Sequence, residues 1–261
     1  MPSVSRATVI THGKPETIGD AGERVAAAAK NAGVELVDDG ESPDICIVLG
    51  GDGTMLRALK RFLGESVPVL GVNFGRVGFL TTVAVDELED GLARAFAGEY
   101  QVVELPTLEA EARGERATAV NDVVAASSRL GRMAELDWTV GGEDLGVLAC
   151  DGVIAAAPSG STAYNLSNGG PVLVWGIDAF AVTFIAPHSL HARPLVVPRS
   201  ADLVVENRTA DVPVTVLVDG HEFSQLGEGE RVNVRLGPAR TLLATLPGVT
   251  FFRRYRHTFA S

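Results

Sequence analysis

The feature that most constrains the fold is an apolar run, residues 45–49, that ends in the sequence Gly-Gly-Asp-Gly-Thr at residues 50–54. Five apolar residues bounded by glycines predict a strand buried on both faces, and residues 55–63 carry apolar side chains at helical spacing. The glycines therefore lie where a strand turns into a helix. A helix N-terminus offers free backbone N–H groups and a positive dipole end, which together attract phosphate.

Asp52 is the unexpected residue of this turn. Its negative charge would repel a phosphate at a place suited to anions, so contact with a hydroxyl group or a metal ion explains it better. The alternative is that Asp52 is the N-cap residue of the helix in a tight turn. The turn alone does not decide between these two hypotheses.

The first hundred residues alternate strand patterns with helix patterns. We expect strands at 7–11, 35–37, 45–49 and 67–72, a loop at 12–16, a helix at 21–32 closed by Gly33, and a helix at 87–96 that Asp86 caps and Gly98 ends. Such alternation is typical of a parallel α/β sheet. Ligands of these sheets bind beyond the carboxyl ends of the strands, where residues 50–54 would lie.

After Tyr100 the pattern changes to short strands, several of them with a two-residue period. We expect strands at 108–112, 117–126, 133–138, 145–149, 153–157, 181–185, 203–205, 214–218, 232–236 and 241–246, with one short helix after Ser161. This all-β pattern predicts a second domain of antiparallel sheets. We therefore divide the chain into an α/β domain at 1–100, a β-rich domain at 101–246 and a tail at 247–261.

The tail carries three arginines, Arg253, Arg254 and Arg256, beside three aromatic residues. An edge strand that packs its aromatic face on the body is the favoured prediction, and a nucleic-acid contact is the alternative. The formal net charge of 22 − 33 = −11 argues against a general nucleic-acid or anionic-membrane surface. A nucleotide stays compatible with this charge, since a glycine loop and a few arginines can hold its phosphates.

The length of 261 residues suits one large domain or two moderate ones. Cys46 and Cys150 lie in or beside apolar strand patterns, so we expect buried free thiols. Nothing near the N-terminus resembles a secretory signal, and no apolar run approaches the ~20 residues that a membrane helix needs. We therefore expect a soluble, cytoplasmic protein.

A second stretch, residues 151–171, is rich in glycine and in hydroxyl side chains. Ser159 and Ser161 are good helix caps, so a well-capped short helix is one interpretation. A tyrosine at such a turn can cover a purine ring, and Ala163 leaves room for close approach, so ligand binding is the other. The stretch presents more polar side chains than a cap requires, namely Thr162, Tyr164, Asn165 and Ser167.

Two polar residues, Asn121 and Asp122, interrupt an apolar strand pattern. They need partners or a cavity, because burying them unpaired costs a few kcal/mol. A bulge or a turn beside the strand is the alternative. Further along the chain, Asp219-Gly220 predicts a β-hairpin.

Together these motifs resemble those of the NAD kinase family. Lipid kinases of the diacylglycerol and sphingosine type carry a related glycine turn, whereas GSTAY followed by GGP is far more specific to this family. The shared motifs are GGDGT at 50–54, G-x-N-x-G-x-x-G-F-L at 71–80, the Asn-acidic pair at 121–122, DG with PSGSTAY and GGP at 151–171, PHSL with RPLV at 187–196, Asp-Gly at 219–220 and Lys14-Pro15-Glu16.

The resemblance implies an N-terminal Rossmann-like α/β domain, a β-rich sandwich-like domain and a tail that returns to the first domain. The implied reaction transfers the terminal phosphoryl group of ATP to the 2′-hydroxyl of the adenosine ribose of NAD, forming NADP, with polyphosphate left open as a donor. Mg²⁺ or another divalent cation would be carried with the ATP rather than in a protein cage. Homodimers or homotetramers are implied, in which a neighbouring subunit helps to complete the NAD site, with no nucleic-acid or membrane partner.

The same resemblance assigns roles to individual residues. Asp52 would contact the 2′-hydroxyl and accept its proton, and a weak base suffices because phosphoryl transfer depends mainly on positioning and charge stabilisation. Gly51 and Gly53 would let phosphates approach the backbone, and Arg57 would neutralise them. Tyr164 would stack on the NAD, whose full set of expected contacts is Asn121, Asp122, Arg132, Asp151, Ser159, Thr162, Ala163, Tyr164, Asn165, Leu166, Ser167 and His221.

Three residues depart from the family pattern. Asp122 stands where glutamate is commoner and reaches one methylene less far, Ala149 stands where a basic residue is frequent, and Ser159 replaces a frequent threonine.

Two other functions stay open. A lipid kinase would need an apolar slot for acyl chains, and a non-catalytic dinucleotide-binding module would have no need of Asp52.

Overall fold

The computed structural model describes residues 3–11, 15–75 and 78–259. The chain forms two compact units: the first contains Met1–Glu104 and Thr241–Ser261, and the second contains Leu105–Arg240. The sequence-based division places the boundaries at residues 100 and 246 instead. Residues 12–14 of the expected loop and residues 76–77 of the glycine-rich run lie outside the described part of the chain.

The first unit is built on a parallel sheet. Its strands pair in the order β4-β3-β1-β2, with β5 beside β4. All six residues of β3 are buried, which confirms the prediction of a strand covered on both faces. The strands are β1 (Arg6–Thr11), β2 (Glu35–Leu36), β3 (Ile45–Gly50), β4 (Val69–Asn73) and β5 (Val83–Ala84).

Helices connect these strands. The second helix has the predicted bounds and ends at Gly33, whose φ of 71° is left-handed. Glu16, expected in a loop, belongs to the first helix. Asp86 does not cap α4, because a 3-10 turn at Val85–Glu87 precedes that helix and no side chain caps it. The described helices of this unit are α1 (Pro15–Ile18), α2 (Ala21–Ala32), α3 (Asp52–Arg61), α4 (Leu88–Phe96) and the C-terminal helix, Phe251–Phe259.

The tail is therefore a helix, and the prediction of an edge strand is wrong. Phe251, Tyr255 and Phe259 recur every four residues, which places their rings on one helical face. Successive ring centroids along this face lie 6.4 and 5.2 Å apart. Phe79 packs against the same face, with centroid distances of 5.4 Å to Phe251 and 6.0 Å to Phe259.

The second unit is a sandwich-like pair of antiparallel sheets. One sheet has the order β13-β12-β11-β8-β15-β16, and the other contains β10-β9-β14-β17 with the β6–β7 hairpin. Buried residues of both sheets, such as Val205 and Val216, belong to one apolar core. The strands are β6 (Gln101–Ala112), β7 (Glu115–Ala119), β8 (Asp122–Ser127), β9 (Ala134–Val140), β10 (Glu143–Cys150), β11 (Gly152–Ala156), β12 (Ala179–Ile185), β13 (Leu195–Pro198), β14 (Leu203–Asn207), β15 (Val214–Val218), β16 (His221–Leu226) and β17 (Arg231–Thr245).

Two strand predictions need correction. The single strand expected at 117–126 is divided into β7 and β8 at Val120-Asn121, and the two strands expected at 232–236 and 241–246 are one strand, β17. Gly237 lies inside β17, where a Cβ atom would be 2.9 Å from Thr107 Oγ1. This glycine permits a close approach between strands and does not end one.

Cys46 and Cys150 are buried and free, as predicted. Burial raises the pKa of Cys46 to about 12 and that of Cys150 to about 11. Both thiols therefore stay protonated at neutral pH. Within the described ranges, no helix is long and apolar enough to cross a membrane.

Candidate active site

Asp52 is the first residue of α3 and follows the carboxyl end of β3. The N-cap residue is Gly51 and no side chain caps this helix, so the N-cap alternative for Asp52 is wrong. The Asp52 carboxylate instead accepts hydrogen bonds from the backbone N–H groups of Phe79 (2.8 Å) and Leu80 (3.0 Å). Because each carboxylate oxygen receives one amide, the orientation of the side chain is fixed.

Arg254 of the C-terminal helix holds the same loop through its carbonyl groups. Its Nη1 donates to the carbonyl oxygens of Gly78 (2.7 Å) and Phe79 (3.3 Å). Burial lowers the pKa of Arg254 to about 10, and the nearby charge of Asp52 opposes this effect. The guanidinium group is therefore cationic at neutral pH. Sequence reasoning missed this contact, because an arginine in an aromatic tail does not reveal which loop it reaches.

Two glycines near Asp52 have opposite surroundings. Nothing lies within 4 Å of a Cβ atom built at Gly53, so the backbone there is open to a ligand. At Gly78 a Cβ atom would lie 3.2 Å from Asp52 Oδ1 and 2.0 Å from Thr81 Oγ1. A side chain at that position would clash with Thr81 and make a tight contact with Asp52, so glycine is favoured there.

Arg57 and Gly51 add to the anion-binding character of this turn. Gly51 is extended, with φ −105° and ψ −169°, and leads directly into the N-terminus of α3. Arg57 is exposed, and its Nη2 donates to the carbonyl oxygen of Thr11 at 3.1 Å. A guanidinium group has five N–H donors, so most of them remain for a phosphate.

In the second unit, the Asn121–Asp122 pair is held by Asp219. The Asp219 carboxylate accepts hydrogen bonds from the N–H groups of Val120 (3.0 Å) and Asn121 (2.8 Å). Asp219 and Gly220 have φ values of 50° and 79°, which confirms the predicted hairpin. The Asp219 contacts were not predicted, although the Asp-Gly signal located the residue.

Both members of the pair carry signs of a ligand site. Asp122 is 7% exposed. Its burial and the charge of Asp219 raise its pKa to about 6. Asn121 Oδ1 is buried and has no hydrogen-bond partner among the described residues. Perturbed carboxyl groups and unpaired buried polar atoms are enriched where ligands bind.

The serine-rich turn packs directly on Asn121. A Cβ atom at Gly160 would lie 2.1 Å from the Asn121 carbonyl oxygen, so glycine is required there. Ser159 Oγ donates to the Val120 carbonyl oxygen. Ser161 Oγ donates to the carbonyl oxygen of Pro158 at 2.7 Å. Neither serine caps a helix through its side chain, so the capping interpretation is wrong.

After the 3-10 turn at Gly160–Thr162, the short helix α5 (Tyr164–Ser167) has an exposed side and a buried side. Ala163, Tyr164 and Ser167 are exposed, while Thr162 and Leu166 are half-buried. Tyr164 keeps 45% of its surface exposed, which is unusual for so large a ring. An exposed ring beside small residues is suited to stacking on a flat ligand.

Asn165 faces inward. Its side chain is fully buried, and its Nδ2 donates to the carbonyl oxygens of Ser161 (2.9 Å) and Pro171 (3.0 Å). Its Oδ1 accepts a hydrogen bond from Thr183 Oγ1 at 2.7 Å. The Asn165 amide therefore holds the turn together, and its expected outward contact is not seen.

The other expected contacts differ in their surroundings. His221 begins β16, with its Nδ1 3.0 Å from the Asp219 carbonyl oxygen, which brings it close to the Asn121–Asp122 pair. Asp151 is exposed and precedes β11. Arg132 forms an ion pair with Asp211 at 2.8 Å. Within the described part of the chain, no group of three or more His, Cys, Asp and Glu side chains could hold a metal ion.

Comparisons with known proteins match both parts of the chain. Residues 13–100 match the sequence model of the ATP-NAD kinase N-terminal domain, and residues 120–246 match that of the ATP-NAD kinase C-terminal domain. The NAD kinase of Gemmatimonas aurantiaca is 40% identical over 221 residues, which cover 82% of this chain and 76% of the relative. The NAD kinase of Heliobacterium modesticaldum is 37% identical, covering 89% of this chain and 84% of the relative.

Two solved structures share the fold. An NAD kinase from Archaeoglobus fulgidus, crystallised in complex with ATP, is 26% identical with a TM-score of 0.80, covering 98% of this chain and 97% of that one. Yeast NADH kinase complexed with NADH is 21% identical with a TM-score of 0.84, covering 100% of this chain and 89% of that one. At its lower identity, the yeast structure supports the fold alone.

Proposed function

Since the chain belongs to the NAD kinase family, we propose that it phosphorylates NAD to NADP, with Asp52 as the residue that accepts the proton of the ribose 2′-hydroxyl. The family's reaction is the phosphorylation of NAD to NADP. The observation that carries the role of Asp52 is its carboxylate, fixed by two backbone amides at the carboxyl end of a buried strand. That edge of a parallel sheet is where ligands bind.

In the proposed step, the 2′-oxygen of the adenosine ribose forms a bond to the terminal phosphorus of ATP. The bond between that phosphorus and its bridging oxygen breaks, and ADP leaves with the electron pair. The proton of the hydroxyl group passes to the Asp52 carboxylate. Little covalent chemistry is demanded of the protein, because positioning and charge stabilisation account for most of the catalysis of such transfers.

The donor phosphates would be stabilised at the turn before α3. The open backbone at Gly53, the extended Gly51 and the N-terminus of α3 together provide amide donors, and Arg57 adds a cation. A divalent cation would accompany ATP, since Mg²⁺ usually binds through substrate phosphates and few carboxylates.

The second unit would bind NAD. We propose that Tyr164 stacks on the adenine, that Asn121 and Asp122 bind ribose hydroxyls or the amide of the dinucleotide, and that Asn165 acts indirectly by holding the turn. The unpaired Oδ1 of Asn121 and the exposed ring of Tyr164 support these assignments. The other proposed contacts are Arg132, Asp151, Ser159, Thr162, Ala163, Leu166, Ser167 and His221.

We also propose that the enzyme acts in the cytoplasm as a homodimer or homotetramer. The two buried, free thiols suit a reducing compartment. The oligomeric state rests on the resemblance to the family.

The proposed reaction is tested with purified protein, Mg²⁺, ATP and NAD. We expect NADP to accumulate, as measured by a dehydrogenase that accepts NADP and not NAD. Parallel reactions with polyphosphate as donor, and with NADH as acceptor, define the two substrates. Tight NAD binding without any NADP would contradict the kinase and favour a dinucleotide-binding module.

A further inference from the structure

The first unit contains a cavity of about 520 Å³ that the residues discussed so far do not explain. Its walls are the end of β4 at Asn73, the segment 81–84 and the C-terminal helix. We refer to it as the tail cavity. Its volume is in the range of small-molecule sites.

The tail cavity has a basic lining in an acidic protein. Arg253, Arg254 and Arg256 all line it, whereas Glu87 is the only carboxylate among its described lining residues. The side chain of Arg256 makes no hydrogen bond or ion pair with any described residue, while Arg253 Nη1 donates to the carbonyl oxygen of Gly248 at 2.8 Å. Since the chain carries a net charge of −11, this concentration of cations selects an anionic ligand.

Two buried polar atoms in the cavity wall lack partners among the described residues. They are Thr81 Oγ1, on a residue that is 1% exposed, and Arg254 Nε. A buried polar atom without a partner is costly, and a ligand oxygen at the cavity wall would remove that cost. Both atoms can donate a hydrogen bond to a phosphate oxygen.

The tail cavity adjoins the catalytic candidate. Gly78 lines the cavity, and a Cβ atom at Gly78 would lie 3.2 Å from Asp52 Oδ1. A ligand in the cavity would thus lie beside Asp52, at the end of β4. The Asp52 carboxylate would accept a hydrogen bond from a hydroxyl group of the ligand, and the arginines of the cavity would bind its phosphates.

We propose that the tail cavity binds the phosphate chain of the phosphoryl donor, with Arg256 as an anion-binding residue. This assignment rests on the proposed function and extends it, because it places donor phosphates against the C-terminal helix in addition to the glycine turn. The ligand chemistry is a linear chain of phosphates, which ATP and inorganic polyphosphate share.

The direct test is binding of inorganic tripolyphosphate, measured by calorimetry without any turnover. Arg256→Ala should weaken this binding about tenfold, because a charge-assisted contact to phosphate is lost. Thr81→Val, which removes the unpaired hydroxyl at nearly constant shape, should also weaken it. The matched control is Arg94→Ala, which removes a half-buried arginine of α4 that pairs with Glu99, outside the cavity. Unchanged affinity in Arg256→Ala and Thr81→Val would overturn the proposal.

Kinetics separates this proposal from the proposed function. In Arg256→Ala we expect the KM values for ATP and for polyphosphate, where used, to rise about tenfold with no change in the KM for NAD. NADP formation with an unchanged donor KM would overturn the tail cavity as a donor site while leaving the kinase intact. If tripolyphosphate binding depends on Arg256 but the protein makes no NADP, the anion site is supported and the proposed kinase activity is contradicted.

Discussion

At the scale of single residues, two aspartates of the proposed site have different surroundings. Asp52 is held by two backbone amides, which orient a carboxylate without removing it from solvent contact. Asp122 is buried, and the neighbouring carboxylate of Asp219 adds a like charge. The first arrangement suits a group that must meet a hydroxyl in one geometry. The second disfavours the charged form and so raises the pH at which the carboxyl group ionises.

The pKa of Asp122 makes a prediction about stability. Because its value is raised from 3.8 to about 6, the folded protein retains a proton that the unfolded chain releases, and the free energy of unfolding falls as pH rises through this window. Asp122→Asn replaces this carboxyl group with an amide that does not titrate. We expect this variant to be more stable than the wild type by about 1–3 kcal/mol at pH 8, with the difference disappearing near pH 4.

Urea denaturation of both proteins between pH 4 and pH 8, about two units on either side of the shifted value, measures this difference. The exposed Asp38→Asn is the matched control and should show no such pH dependence. A stability difference that is the same at every pH would exclude the titration of Asp122 as its cause.

The sequence identified the candidate side chains of the site but not the direction of each side chain. Tyr164 and Asn165 are neighbours in one motif, yet the ring is exposed and the amide is buried. In a helix as short as α5, that direction depends on the packing of Thr183 and of the Pro171 carbonyl group, which lie elsewhere in the chain. The contacts of Asp219 were missed for the same reason, since its partners are about a hundred residues away.

At the scale of elements, the C-terminal helix supports the loop that holds Asp52. Arg254 and the ring of Phe79 join this helix to residues 78–80, and the amides of Phe79 and Leu80 hold Asp52. Arg254 is thus a positioning residue, because it acts on Asp52 through the loop.

Arg254→Gln tests this positioning role. The loss of a buried, charged donor to two carbonyl groups should let the loop shift, and we expect kcat to fall about ten- to hundredfold, as small misplacements of reacting groups can cause. The KM for NAD should stay within about twofold, since the proposed NAD contacts belong to the second unit. Phe252→Ala, on the exposed side of the same helix, is the control. A variant with normal kcat, or one that loses only NAD affinity, would rule out the positioning role.

Elements with strong local signals were predicted well from the sequence. The bounds of α2 were correct because Gly33 supplies a left-handed cap, and β3 was correct because its apolar run ends in glycines. The prediction for the tail was wrong because its aromatic residues were interpreted as one face of a strand, although their four-residue spacing favours a helix. The division between β7 and β8 lies at the polar pair, where a bulge or a turn was the alternative hypothesis, but the Asp219 contact that holds it comes from a distant hairpin.

At the scale of the whole molecule, the two units have different roles in the proposed reaction. The first provides Asp52, the glycine turn and the basic tail cavity, and the second provides the polar pair and the exposed tyrosine. The order of motifs along the chain predicted both groups of proposed site residues and the two-domain fold in which they lie. The resemblance implied that the end of the chain returns to the first unit, but the contacts of the C-terminal helix with residues 78–80 depend on packing that no local pattern reveals.

The most direct test of this division is the effect of Asp52→Asn on turnover and on NAD binding, measured in the same preparation. We expect kcat for NADP formation to fall about a hundredfold or more, because the proton acceptor is lost. We expect the Kd for NAD, measured by calorimetry, to change by less than about threefold, because most of the proposed NAD contacts belong to the second unit. NADP production unaffected by the substitution would contradict the account.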